Sequence, residues 1–246
     1  MMEWLGAFGA GAFAGAALLI GAAVAWFVHV PRDVVAGIMA FGSGVLISAL
    51  AFDLVQEAQE TGGTGPTVVG FLAGAIAYVT ANLALDRVGA RRRLRTGKSK
   101  SGSGSGTGIA VGALLDGVPE SAVLGLSMVG GGGVSVPILA AIFISNIPEG
   151  LASTADLRRE NRGFRYVVTL WAGIAFACAV SSLLGFALLD SATPQVTAVI
   201  NAVAAGAILA MICDTMIPEA FDRARALTGL LATVGFLTSF TIHQLA

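Results

Sequence analysis

The chain has 246 residues, of which 56% are hydrophobic and only 12% charged, with a mean hydropathy of +0.84. A soluble domain usually carries about twice that charge fraction, so a soluble enzyme or a nucleic-acid-binding module is excluded. The formal net charge of −1 says little about partners, but the placement of the charges says a good deal.

The apolar residues come in blocks near the roughly 20 residues that span a bilayer. They predict an all-α polytopic membrane protein with a single transmembrane domain over 1–246. Eight spans are expected, at about 4–28, 34–56, 66–88, 108–129, 135–156, 166–189, 196–219 and 226–245. The first block is too long for the apolar part of a signal peptide and has no basic leader, so it reads as a retained span. Breaks fall at Pro31-Arg32-Asp33, at Thr61 to Pro66, in a basic Gly/Ser stretch over 89–107 and at Gly130–Gly133. Further breaks lie at Arg158–Arg165, Asp190–Pro194 and Asp222–Arg225.

These breaks sort the 14 Lys and Arg into alternate loops. Arg32 is in the first loop, and Arg87 with the cations over 91–100 are in or beside the third. Arg158, Arg159, Arg162 and Arg165 are in the fifth, and Arg223 and Arg225 in the seventh. The even-numbered loops have none. The positive-inside rule then makes the basic loops cytoplasmic and turns both termini outward, as a multi-pass protein of the cell membrane. Gly97-Lys98-Ser99 resembles the end of a phosphate-binding loop, but Arg92 stands where its first glycine belongs and no strand precedes it. Cys178 and Cys213 lie in separate spans without CxxC spacing and read as packing residues.

Gly44-Val-Leu-Ile through Gln56-Glu57-Ala58 aligns with Gly206-Ala-Ile-Leu through Pro218-Glu219-Ala220 at a constant offset of 162. Spans 2 and 7 cross in opposite senses, so the repeat is inverted. It predicts a 3+2+3 arrangement, spans 1–3 against 6–8 about a central pair, which is a common secondary-transporter architecture.

The central pair carries the chemistry. Asp116-Gly-Val-Pro119-Glu120-Ser121 lies in span 4 and Ser145-Asn146-Ile-Pro148-Glu149-Gly150 in span 5. A third Pro-Glu pair is Pro218-Glu219. A carboxylate at the bilayer centre costs about 2.5–3.5 kcal/mol or more. Each proline also frees a carbonyl one turn earlier, on Leu115, Ile144 and Asp214. Residues four apart share a helical face, which pairs Asp116 with Glu120, Ser145 with Glu149 and Thr215 with Glu219. At 1.5 Å per residue, Glu120 and Glu149 lie about 18 and 21 Å from the starts of their helices, near mid-membrane. The short glycine turn is expected to make spans 4 and 5 antiparallel neighbours.

No Lys or Arg lies at that depth. Close carboxylates cannot all stay ionised without a cation, so a divalent metal, or protons in its place, is expected there. Asp116, Glu120, Ser145, Asn146 and Glu149 form the expected ligand set. The competing reading makes each acid a protonated helix–helix strut. Asp53, Glu57, Asp214 and Glu219, near helix ends, read as transport-path residues or as solvated caps. His29 and His243 read as interfacial.

These residues resemble the ZIP family of metal transporters over essentially all eight spans. The resemblance rests on the two Pro-Glu motifs, the outward termini and the long third loop. It implies uptake of zinc, iron or manganese into the cytoplasm through a site between spans 4 and 5. Asp116 and Ser145 stand at the family's histidine positions, Gly117 at its asparagine and Ser121 at its glycine. Ser181 and Ser182 stand near the family's helix 6 acid. An all-oxygen set suits manganese, ferrous iron, magnesium or calcium better than zinc. One metal position is expected, with the ion as substrate, no permanently bound cofactor and no enzymatic activity. The expected partners are the cation and the lipid bilayer; a homodimer is left open, and no nucleic acid is expected. The alternative is a non-transporting ZIP-like scaffold or metal sensor.

Overall fold

The computed structural model describes residues 2–96, 106–129, 133–189 and 192–245. The heart of the expected basic loop, most of the glycine turn and Asp190 fall outside them. Every described element is a helix. They are α1 (Met2–Phe27), α2 (Arg32–Ala49), α3 (Gln56–Gly62), α4 (Thr64–Thr96) and α5 (Gly106–Leu126). Then come α6 (Val136–Arg159), α7 (Phe164–Leu189), α8 (Pro194–Met211), α9 (Ile217–Ala224) and α10 (Ala226–Leu245). Two π-helical turns, Leu50–Val55 and Ile212–Met216, join α2 to α3 and α8 to α9 into two long rods. Seven helical runs are long and apolar enough to cross a membrane, the architecture of a polytopic membrane protein; α5 is not one of the seven.

Several of the expected boundaries shift, among them the seventh span, expected over 196–219 and running Pro194–Ala224. The first rod, expected as a second span that stops at 56, runs to Gly62, because Glu57, Gln59 and Glu60 continue a helix whose side chains face water. It ends at Gly63, whose φ of +77° suits glycine and whose N–H bonds the Gln59 carbonyl at 2.9 Å. The next helix starts at Thr64, ahead of the expected 66, because Pro66 falls in its first turn, where no amide partner is lost. It also reaches Thr96, into the stretch expected as loop. Finally, α5 stops at Leu126 instead of 129.

Packing follows glycine. A Cβ on Gly44 would overlap the Ala232 carbonyl, and one on Gly206 the Phe71 carbonyl. Gly235 meets Phe41, and Gly74 meets Val203, in the same way. So α2 seats on α10 and α8 on α4 by backbone-to-backbone approach that only small residues permit. The contacts are twins: residues 41 and 44 map to 203 and 206 at the offset of 162 seen in the sequence, and their partners on α4 and α10 match as well.

A second set of twins seats α1 on α6 and α7 on α5. Gly21 meets Ile147 and Gly150 meets Leu18, while Gly185 meets Ala122 and Gly125 meets Ser182. Contrary to expectation, α5 and α6 touch each other only lightly. The glycine and small residues after each glutamate instead seat the motif helices on α1 and α7.

Candidate metal centre

Asp116 and Glu120 lie on α5 around Pro119, and Ser145, Asn146 and Glu149 on α6 around Pro148. Glu120, Ser145 and Asn146 are buried, while Asp116 and Glu149 are half-buried. Asp116, Glu120 and Glu219 are the charged neighbours of Glu149, so the three elements bring their acids within electrostatic reach. α2 closes one side: a Cβ on Gly42 would lie 3.3 Å from Ser145 Cα.

The polar groups between the acids are already engaged in part. Asn146 Nδ2 donates to the Ala14 carbonyl at 3.0 Å, tying α6 to α1. Ser145 Oγ donates to the Ile142 carbonyl at 3.0 Å. Each keeps oxygen lone pairs for a ligand, but each is also a structural bond. Ser181 Oγ donates to the Val118 carbonyl at 2.6 Å, bracing the backbone beside Pro119, so this hydroxyl does not stand in for an acid on α7.

Among the described residues, ion pairs join Arg159 to Asp156, Arg162 to Glu160 and His243 to Asp53. None reaches Asp116, Glu120 or Glu149, so their charge is not balanced by a basic side chain. Nor, among the described residues, are three His, Cys, Asp or Glu gathered tightly enough to hold a metal ion. The expected cage of three carboxylates is therefore absent from this conformation.

The path residues divide. Glu219 lines a cavity of about 530 Å³ with His29, Arg32, Asp156, Arg158 and Asp222, at the end of the bundle that carries the odd-numbered loops. Arg158 is occupied there: it donates to the Ala25 carbonyl at 2.8 Å and stands 5.4 Å over the Trp26 ring. Asp156 and Asp222 are the charged neighbours of Glu219, so carboxylates run from Glu149 to the cavity mouth. Asp53 lies inside the first π-turn, not at a helix end, and Glu57 is exposed beside it.

Asp214 is exposed on the second π-turn, and Thr215 reaches the site region instead. The Ile217 N–H reaches back five residues to Ile212, so the i→i−4 spacing assumed for the carbonyl that Pro218 frees is not kept on this turn.

Two functional contacts were not foreseen. The Tyr78 hydroxyl donates to Asp116 Oδ1 and bonds Thr215 Oγ1, both at 3.3 Å. A phenol within an apolar helix needs a partner, and only two tyrosines occur in the chain, so this signal was readable. His243, expected to be interfacial, bonds Asp53 Oδ1 at 3.1 Å from the last turn of α10. Its distance of 190 residues from Asp53 hid that pairing.

Comparison with known proteins found no matching family model. A protein of Arabidopsis thaliana named "Putative zinc transporter" is 30% identical over 196 residues. That match takes in 74% of this chain but only 29% of the plant protein's length.

Proposed function

We propose that the chain carries a divalent metal cation, of the zinc, manganese or iron class, across the cell membrane toward the cytoplasm. In this reading α5 is the eighth span, the glycine twins express a 3+2+3 inverted repeat, and the ion binds between α5 and α6. Glu120 and Glu149 are its central ligands, with Asp116, Ser145 and Asn146 completing the shell. Glu219 and the cavity form the inner path, while Asp53 and Glu57 lie toward the outer one. The conformation would then be the inward-open state of an alternating-access carrier.

The observation that carries this is the set of membrane-depth acids without a basic partner, continued through Glu219 to an open cavity. A protein with purely structural acids has no need of a carboxylate trail to one face. The name borne by the plant relative supports metal as the cargo. Glu120→Ala and Glu149→Ala should each abolish metal uptake by vesicles while the protein still inserts. Uptake at the wild-type rate in both variants would refute the proposal.

The absence of a three-ligand cage favours a second reading, a ZIP-like membrane sensor or scaffold that binds metal without moving it. Heat of metal binding without flux in proteoliposomes would select it.

A further inference from the structure

We propose that the crease between α3 and α4 is a binding site for one phospholipid with an ammonium headgroup, its acyl chain lying along α4. The site is separate from the candidate metal centre, and it stands whether or not an ion is carried.

The crease has a cause in packing. Gly62, at the end of α3, meets Ala198, and Gly70 on α4 meets Ala202 and the Val199 carbonyl. Both helices thus seat on α8 and touch each other only lightly. Between them lies a cavity of about 320 Å³, lined chiefly by Val55, Gln59, Val68, Phe71 and Leu72. Val55 and Phe71 pack on the buried core and form its floor, while Val68 and Leu72 are 51% and 57% exposed at its lip. The Thr67 hydroxyl, also in the lining, donates to the Gly63 carbonyl at 2.8 Å and so needs no partner from a ligand. A cavity this apolar, opening between residues that face lipid, takes hydrocarbon in preference to water. From Thr64 to Leu72 its α4 wall runs about 12 Å at 1.5 Å per residue, long enough to hold a stretch of acyl chain.

The mouth selects the headgroup. Gln59 and Thr64 are exposed polar residues at the loop end of the crease. Glu57 and Glu60 stand on the same short helix, and Gln56 Nε2 donates to Glu60 Oε1 at 2.9 Å, holding that carboxylate in place. No Lys or Arg occurs between Gln56 and Arg87. The positive-inside rule turns this uncharged-by-cations loop outward, so the lipid comes from the outer leaflet. Two carboxylates without basic neighbours attract an ammonium and repel a headgroup of net negative charge.

The test titrates delipidated full-length protein in detergent with phosphatidylethanolamine, phosphatidylcholine and phosphatidylglycerol of one acyl composition, read by native mass spectrometry. One lipid should be held, with the two ammonium lipids bound about tenfold more tightly than phosphatidylglycerol. Leu72→Trp fills the crease from a lipid-facing position and should lower the affinity about tenfold. Val69→Trp, at a residue 69% exposed and outside the lining, should leave it unchanged. Glu60→Gln should narrow the headgroup preference while the lipid is still held. A photoreactive group on the acyl chain of phosphatidylethanolamine should label peptides of α3 and α4 in the unaltered protein, a check that needs no variant to fold. Equal binding in Leu72→Trp, an equal or greater affinity for phosphatidylglycerol, labelling elsewhere, or a second copy of the chain covering the crease in place of lipid would overturn the proposal. None of these readouts involves metal, so their failure leaves the uptake experiment to decide the transporter reading separately.

Discussion

The Tyr78 hydroxyl and the Asp116 carboxylate, 38 residues apart in sequence, meet at 3.3 Å and join α4 to α5 at the level of the first Pro-Glu motif. The same hydroxyl bonds Thr215 on the second π-turn, so one phenol links three elements around the candidate centre. Asp116 stands where the ZIP pattern has an imidazole, and a carboxylate has more freedom of orientation than a ring. Tyr78 restrains that carboxylate through one of its oxygens, Oδ1.

Tyr78→Phe should therefore weaken metal binding without unfolding the protein. Removing a hydrogen bond to a charged group costs about 1.5 kcal/mol, or roughly a tenfold rise in the metal KM. Uptake kinetics against metal concentration would measure it. An unchanged KM would place Asp116 outside the binding shell.

The inner acids make a different prediction. Glu219 is a neighbour of Glu149 but lies on the cavity side, where the proposed path has an ion pass after it leaves the centre. An interaction made after binding affects turnover more than affinity. Glu219→Gln should lower kcat roughly three- to tenfold while KM stays within about twofold. Initial-rate measurements in proteoliposomes would check this, and a KM effect alone would assign Glu219 to the binding step.

Packing can be tested without metal. Gly44→Ala and Gly206→Ala each drive a methyl into a carbonyl oxygen of a neighbouring helix, at twin positions of the two halves. Overpacking of this kind costs about 1–3 kcal/mol. A Cβ on Gly9 meets open space, so Gly9→Ala should be neutral or slightly stabilising through helix propensity. Thermal unfolding in detergent should show similar losses for the twins and none for the control.

The architecture was legible because its causes are local and periodic. Long apolar runs, prolines in first turns and the 162-residue offset between Gly44 and Gly206 are all written in one dimension. The placement of the motif helices was less so. Sequence similarity relates Glu120 to Glu149, 29 positions on, whereas packing makes twins of Gly125 and Gly150, 25 apart. The two motifs are thus displaced by one helical turn relative to the packing symmetry. The packing twin of Glu120 is Ser145, and that of Glu149 is Leu124. Only the contacts of α5 with α7 and of α6 with α1 reveal that slip. The π-turns were invisible for a related reason: one extra residue per turn leaves no mark in composition, yet it directs Asp53 to His243 and Thr215 to Tyr78.

That slip bears on Asn146 and Ser145, adjacent residues with different attachments. Asn146 is 1% exposed and its amide holds the Ala14 carbonyl of α1. Asn146→Ala removes that interhelical bond, at a cost of about 0.5–1.5 kcal/mol, while the Ala14 carbonyl keeps its place in the α1 ladder. Ser145 bonds only within its own helix, to Ile142, whose carbonyl Pro148 does not disturb. Ser145→Ala should therefore leave the melting temperature nearly unchanged and act on metal affinity alone, while Asn146→Ala should lower both. Melting curves with and without saturating zinc would separate the two. Equal destabilisation by both variants would mean that Ser145, too, serves the fold before it serves an ion.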